Sequence, residues 1–557
     1  MNRLRSWLPV LLLVLLPLGI YWTSLGNGFV VWDDDTLVYK NPLVQHFSSY
    51  ALWAVFTSYD PELYIPLTMF TYQLEHLLFG MNPTVFHVTN LLLHIASSVM
   101  VMHLLRRWGL SHQGALVLAL IFAVHPMNAE GVAWVSARKD MLSNVLFLSA
   151  LLQWERYRAT TSRRSYRAAA ALFGLALLAK VSVALLPIIL ILIDWRNGRL
   201  LKRKTVREIA PFCALSMLFI AIALFGKTTN IASLTPWQTI LLATKAVAFY
   251  PVKYVLPISL STIYHQSTPI TLVSWEFALP AFSALCILVL ATGALHRTRM
   301  VAFCVLFFLV MLAPSFANFS KMGSLFFASD RYIGLAQIGI LYALGLLWSW
   351  CSVRRALIAR SLCIVAMVGI IPACAFAARD RSLLWGDSET LFRDAMEKNP
   401  NSAVIHFNLA VVEQKRGKYD KALELYGRAI AIRPDFSQAY NNASLIYKEQ
   451  GDREKAKQWL LEALRIDPEN LSALINLASL HLDRGEPDEA IALLNRALEE
   501  DPYNVPALSK LGAAYGKKEM YMEGLQAFQK AWRLDPVMHE QSKALEKMLK
   551  EFELQGS

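Results

Sequence analysis

The sequence predicts an all-α chain in two parts: a polytopic bundle of about eleven membrane helices over 1–378, then an α-solenoid over 379–557. Three observations carry this. The 557 residues are 55% apolar and only 17% charged, with a mean hydropathy of +0.38, whereas soluble domains hold roughly 25% charge. Apolar segments near the ~20 residues that a membrane helix needs recur from Trp7 onward. Small residues and prolines in the last third return every 34 residues. This composition excludes disorder and argues against a soluble globular protein.

The net charge of +12 hides a split. Residues 1–378 hold 29 Lys/Arg against 13 Asp/Glu, and residues 379–557 hold 25 against 29. The basic excess sits between apolar runs, which points to membrane loops rather than to nucleic acid. The basic runs 163–167 and 202–207 lack interleaved aromatics, so no nucleic-acid partner is expected. The cysteines at 213, 286, 304, 351, 363 and 374 form no CxxC pair, and each reads as a small apolar side chain.

The expected passes lie near 7–26, 84–105, 113–126, 141–154, 168–181, 183–195, 209–226, 276–295, 300–314, 332–350 and 361–378. Arg3 and Arg5 before an apolar run resemble a signal peptide. No small-x-small site follows, so the segment reads as a retained anchor. Lys245, Lys253, Pro251 and Pro257 interrupt 238–257, which is expected to be interfacial or re-entrant. With the N-terminus in the cytoplasm, 20 Lys/Arg fall in inner loops and 9 in outer ones, the bias of the positive-inside rule. Eleven passes then put the C-terminal part in a periplasm or an organelle lumen, and a twelfth would reverse it.

Pro400, Pro434, Pro468, Pro502 and Pro536 stand 34 residues apart, as do Ala395, Ala429, Ala463, Ala497 and Ala531. Ala422, Ala456 and Ala490 keep the step, and so do Gly417, Gly451 and Gly485. This is the helix–turn–helix period of tetratricopeptide repeats. Small Ala lets paired helices approach, Gly closes the turn, and Pro ends the second helix. Full repeats are expected over about 401–434, 435–468 and 469–502. A degraded one follows over 503–536, where Glu519 and Gly524 replace Gly and Ala. Residues 384–400 read as a leading half-repeat and 537–554 as a capping helix. Stacked repeats offer a concave surface for a protein or peptide segment, or serve as a rigid spacer.

Polar residues on the expected outer face are the functional candidates, because ionisable groups at a membrane are costly. Asp33, Asp34 and Asp35 follow the first exit. Crowded carboxylates suit a general base or a divalent-cation site at Asp33 and Asp34, and equally a solvated acidic turn. The second outer loop carries His125, Glu130, Arg138, Lys139 and Asp140; Lys180 sits in a tight outer turn; Asp330 and Arg331 precede a helix. Arg138 with Lys139 could hold an anionic phosphate and Arg331 is again placed for an anion, while each of these cations, Lys180 included, could equally anchor the chain at the boundary by snorkelling. His87 and His94 share a helix face and read as packing residues rather than ligands. No GxGxxG or GxxxxGK[ST] loop and no GxSxG elbow occurs, which argues against ATP-driven chemistry and a serine-hydrolase site.

In their order these motifs resemble the TMTC-type protein O-mannosyltransferases, transmembrane and tetratricopeptide-repeat proteins of the GT-C class. Phe29-Val30, Asp33-Asp34 and Asn41-Pro42 are similar to that family's paired-acid motif, and Tyr64-Ile65-Pro66-Leu67-Thr68 to its Tyr-Arg-Pro-Leu-Thr element. Phe122–Pro126, Glu130, Arg138 and Asp140 resemble its second outer loop, Lys180 its Lys-Glu pair, and Asp330-Arg331-Tyr332 its late acid-Arg element. Ile65 stands where the family has Arg and Val181 where it has Glu. The short repeat array suggests a bacterial relative, with repeats in the periplasm; in a eukaryote they would be in the ER lumen.

The resemblance implies a polyprenyl-phosphate-linked sugar donor, mannose-like, drawn from the membrane lipid, and a protein hydroxyl acceptor. Asp33 or Asp34 would take the acceptor's proton. Arg138, Lys180 and Arg331 would hold the donor phosphate, with Asp35, Tyr64, His125, Glu130, Asp140 and Asp330 in support. The competing readings are a non-enzymatic membrane scaffold built on the repeats and a transporter or polymerase of lipid-linked sugar. The latter needs a polar path through the bundle that the sequence does not offer.

Overall fold

The computed structural model describes residues 2–59, 63–199, 203–226, 234–295, 298–321, 324–353 and 357–535. The expected capping helix at 537–554 lies outside them, as do Lys202, Lys227, Arg297, Arg354, Arg355 and Pro536. By packing, the chain divides into two units. One joins Met1–Tyr39 to Phe56–Lys398, and the other joins Lys40–Val55 to Asn399–Ser557.

Each expected pass is helical in the first unit. The helices include Asn2–Tyr21, Pro83–Arg107, His112–Val124, Arg138–Thr160, Arg163–Ala179 and Leu186–Arg196. Arg203–Phe225, Trp275–Ala294, Arg299–Leu312, Gln337–Val353 and Leu357–Leu383 follow. Among the described residues, four are long and apolar enough to cross a membrane, or five if the bent pair His112–Val124 and Pro126–Ala133 counts as one span. The expected count of eleven is therefore not reached on length and composition. The shortfall has a physical source. Arg138–Thr160, for example, is long enough but carries charge at both ends, and Leu186–Arg196 is only 11 residues long. The stretch expected to be re-entrant is one continuous helix, Pro236–Val255, started by a capping box between Thr235 and Gln238. It contains Pro251, and Lys245 is satisfied by Glu276 at 3.1 Å. The sequence break at 378 falls inside Leu357–Leu383, and the expected half-repeat, Ser388–Lys398, packs with the first unit.

One hairpin positions the site. Arg138–Thr160 ends at Thr161 in the left-handed conformation (φ 54°), and Ser162 caps Arg163–Ala179 by accepting from the Ser165 N–H. Two residues thus reverse the chain, and Trp154 and Phe173 are buried in the bundle core. The return brings Lys180 back level with the start of the first helix. A small antiparallel sheet does similar work: Ser324–Ala328 lies between Tyr264–His265 and Ser320–Lys321, and its end delivers Asp330 and Arg331.

The second unit holds the repeats as helix pairs: Ala403–Lys415 with Tyr419–Ile432, Ser437–Glu449 with Arg453–Ile466, Leu471–Arg484 with Pro487–Glu500, and Val505–Lys517 with Tyr521–Leu534. The periodic alanines are fully buried between paired helices. In the last pair Gly524 stands where Ala was expected, and a Cβ there would lie 3.0 Å from the Gly512 carbonyl oxygen, so the helices meet closely. Segment 40–55 packs with this unit, where the Tyr50 hydroxyl donates to the Leu534 carbonyl (3.3 Å).

Candidate functional site

Within the first unit, the polar residues of the expected outer loops pair with one another. Asp33 lies 3.3 Å from Lys139 Nζ and keeps its carboxylate partly exposed. Lys180 Nζ lies 2.5 Å from Asp140 Oδ1. Arg331 binds Glu130 at 2.6 Å. Asp330 accepts from the Tyr264 hydroxyl (2.8 Å) and from Arg381 (3.2 Å). Asp140, Lys180 and Arg331 line one open cleft, with Asn144, Ser182 and Tyr332. Two cations, a carboxylate and amide and hydroxyl groups at one mouth suit an anion that carries hydroxyls.

Asp34 has a different task. It is buried; its Oδ1 accepts from the Ser136 N–H (2.9 Å) and hydroxyl (2.5 Å), and its Oδ2 from the Val30 N–H (3.0 Å). Burial pushes its carboxyl up to about 6, against those hydrogen bonds. It pins the first loop to the second, with both of its oxygens engaged in those bonds. Asp35, half-buried, opens the turn Asp35–Tyr39.

Three expected site residues sit elsewhere. Arg138 is wholly buried, forked onto Glu75 at 2.9 and 3.1 Å, with Asn90 Oδ1 at 2.5 Å and the Phe86 carbonyl at 2.9 Å. Every face of its guanidinium is used, so the phosphate role assigned to it does not fit. His125 is buried and stacked on Tyr254 with centroids 4.0 Å apart; Nδ1 accepts from the Met127 N–H and Nε2 bonds the Tyr254 carbonyl. Tyr64 donates to the Phe56 carbonyl, away from the cleft. His94 packs on Phe122, as expected of a core histidine.

Sequence reasoning missed Trp134. Its ring is buried, stacked on Trp385 at 5.3 Å, with Lys139 Nζ at 5.2 Å and the Arg331 guanidinium at 5.0 Å. It orders both cations through cation–π contact. Asn408, Asn442 and Asn476 stand one on the first helix of each full repeat, 34 residues apart, and Asn442 and Asn476 both bond to Asn441.

Metal ligation finds no support in the donor set. Among the described residues, no three His, Cys, Asp or Glu side chains gather to hold an ion. Asp34 is spent on hydrogen bonds and Asp33 faces Lys139.

A tetratricopeptide-repeat profile matches residues 401–469 and another residues 447–515. Protein O-mannosyl-transferase TMTC3 of Mus musculus is 24% identical over 495 residues, 76% of this chain and 51% of its own. Protein O-mannosyl-transferase TMTC1 of Homo sapiens is 35% identical over 147 residues, 24% of this chain and 16% of its own. The chain spans about half the length of the curated relatives it matches first. Among solved structures, MamA aligns at 20% identity over 28% of this chain and 88% of its own, with a TM-score of 0.24, too slight to carry an argument. The resemblance to the TMTC-type family drawn from the motifs is borne out, together with the repeats.

Proposed function

We propose that the chain is a membrane glycosyltransferase that moves a mannose-like sugar from a polyprenyl-phosphate donor to a protein hydroxyl on the non-cytoplasmic face. The observation that carries this reading is the cleft where Lys180 and Arg331 meet beside Asp140. Lys180 and Arg331 hold the donor phosphate and stabilise its charge as the anomeric C–O bond breaks. Asp33 takes the proton from the acceptor hydroxyl as that oxygen attacks the anomeric carbon. Lys139 lies beside it, 3.3 Å from its carboxylate. A direct displacement of this kind inverts the anomeric centre. Asp140, Glu130 and Trp134 position the cations, and Asp34 holds the loop.

The repeats bind the acceptor segment, with Asn408, Asn442 and Asn476 as amide contacts for an extended backbone. Covalent linkage of binder and catalyst raises the acceptor's effective concentration. The reading requires one compartment for Asp35 and Ser557, opposite the cytoplasm, which in a bacterium is the periplasm.

The test is transfer of radiolabelled mannose from polyprenyl-phosphate-mannose to envelope protein in membranes carrying the full chain. Asp33→Asn and Lys180→Gln should each abolish incorporation while the protein stays folded. Full incorporation by both variants would overturn the reading and leave the repeats as a scaffold.

A further inference from the structure

The far ends of the same two helices carry a second cleft that the proposed reaction does not use. Arg138–Thr160 and Arg163–Ala179 run antiparallel. At 1.5 Å per residue, the Thr161 turn lies about 30 Å from Lys139 and Lys180, the thickness of a bilayer core. There an open cleft of about 670 Å³ is lined by Arg163, Arg167, Arg203, Lys204 and Arg207, with Tyr157, Tyr166 and Glu208. None of these five cations has a carboxylate within 4.0 Å among the described residues. The nearby acids are already matched: Arg158 takes Asp194 and Glu208, each at 2.5 Å, and lies 4.4 Å over the Trp154 ring. The Tyr157 hydroxyl donates to the Glu208 carboxylate and the Tyr166 hydroxyl to the Glu208 backbone carbonyl, which fixes the acid side of the cleft.

Five cations from two helices line one cavity whose own acid, Glu208, is already paired with Arg158, so the cavity keeps a positive excess that favours a bound anion. The helix start at Arg163 adds N–H groups of the same sign. We propose that this cleft binds the phosphate group of an anionic ligand at the membrane face opposite Asp33. The ligand is an anionic phospholipid headgroup or a free phosphate ester. Basic clefts between helices at such a boundary hold lipid phosphates by charge and by guanidinium forks.

Native mass spectrometry of the full chain tests this, titrated with phosphatidylglycerol and separately with phosphatidylcholine. Phosphatidylglycerol should bind more tightly. Arg167→Gln with Arg207→Gln should weaken it by about 30-fold, the effect of two surface cations. Arg106→Gln with Arg107→Gln, which removes equal charge from another loop on that face, should leave it unchanged. Arg167→Lys with Arg207→Lys should hold binding within a few-fold. Glycerol phosphate then separates the sources. Competition by it upholds a site for phosphate as such, and failure to compete upholds one for the lipid headgroup. Equal affinity for the two lipids, or equal loss in the two Gln pairs, overturns the proposal.

Discussion

Lys180 Nζ rests 2.5 Å from Asp140 Oδ1 at the lip of the cleft, which pairs the end of one helix with the start of its neighbour. The pair aims the ammonium without burying it. Replacing Lys180 by Gln removes one charge from the proposed phosphate position. It should lower kcat/KM about 10²–10³-fold, the usual loss for one stabilising donor. Tm should move by no more than a few degrees, because the pair is partly solvated. Transfer kinetics beside a thermal melt separate the two effects, and a collapsed Tm with unchanged specific activity would refute the assignment.

Arg138 should behave in the opposite way. Its guanidinium and the Glu75 carboxylate are buried together, so Arg138→Met leaves a buried charge unpaired, at a cost of about 3–5 kcal/mol. Thermal unfolding in detergent should show a large fall in Tm. Adding Glu75→Leu to Arg138→Met should recover much of it, because the orphaned charge is gone. A Tm unchanged by Arg138→Met would mean that the fork is not structural.

Asp330 supplies a pH signature. Burial raises its carboxyl from 3.8 to about 6, against the pull of Arg381 and the Tyr264 hydroxyl. A carboxyl raised in the fold binds its proton more tightly there than in the unfolded chain. Its contribution is complete below pH 3.8 and is lost as pH rises through about 6. The wild-type chain should therefore lose Tm relative to Asp330→Asn between about pH 4 and pH 7. The expected change is roughly 3 kcal/mol at most. A pH-independent difference between the two melts would refute it.

Much of this was legible in the sequence because it rests on local period. The 34-residue step fixed the helix pairs, and the apolar runs marked the helices, since both signals repeat along the chain. The acids and cations of the outer loops were legible as candidates, because charge at a membrane boundary stands out. Their division of labour was not. Asp33 and Asp34 are neighbours, yet one keeps a partly exposed carboxylate while the other ties down Ser136, 102 residues away. Arg138 and Lys139 are likewise adjacent, but the step of about 100° between successive helix residues sends the first into Glu75 and the second toward Asp33. Such assignments depend on contacts distant in sequence, as does Trp134, whose stacking on Trp385 has no local mark.

Glu519 shows what departure from the repeat costs. Gly417, Gly451 and Gly485 close their turns at φ 75°, 83° and 76°, and the next position in the step is Glu519 at φ 62°. A Cβ at any of the three glycines would meet nothing within 4 Å, so the requirement there is conformational rather than spatial. An L-residue with a side chain is disfavoured in this region by about 1–2 kcal/mol. Glycine avoids that cost but loses more freedom on folding, by roughly 0.5–1 kcal/mol. Glu519→Gly should therefore stabilise the last helix pair modestly, by up to about 1 kcal/mol. Gly451→Glu should destabilise its own turn by a similar amount. Hydrogen exchange along Tyr521–Leu534 reads the first change directly, because this terminal pair opens locally before the array unfolds. Slower exchange there in Glu519→Gly, with Leu471–Arg484 unchanged, is the expected result, and faster exchange would show that the glutamate side chain stabilises the turn by more than its backbone strain costs.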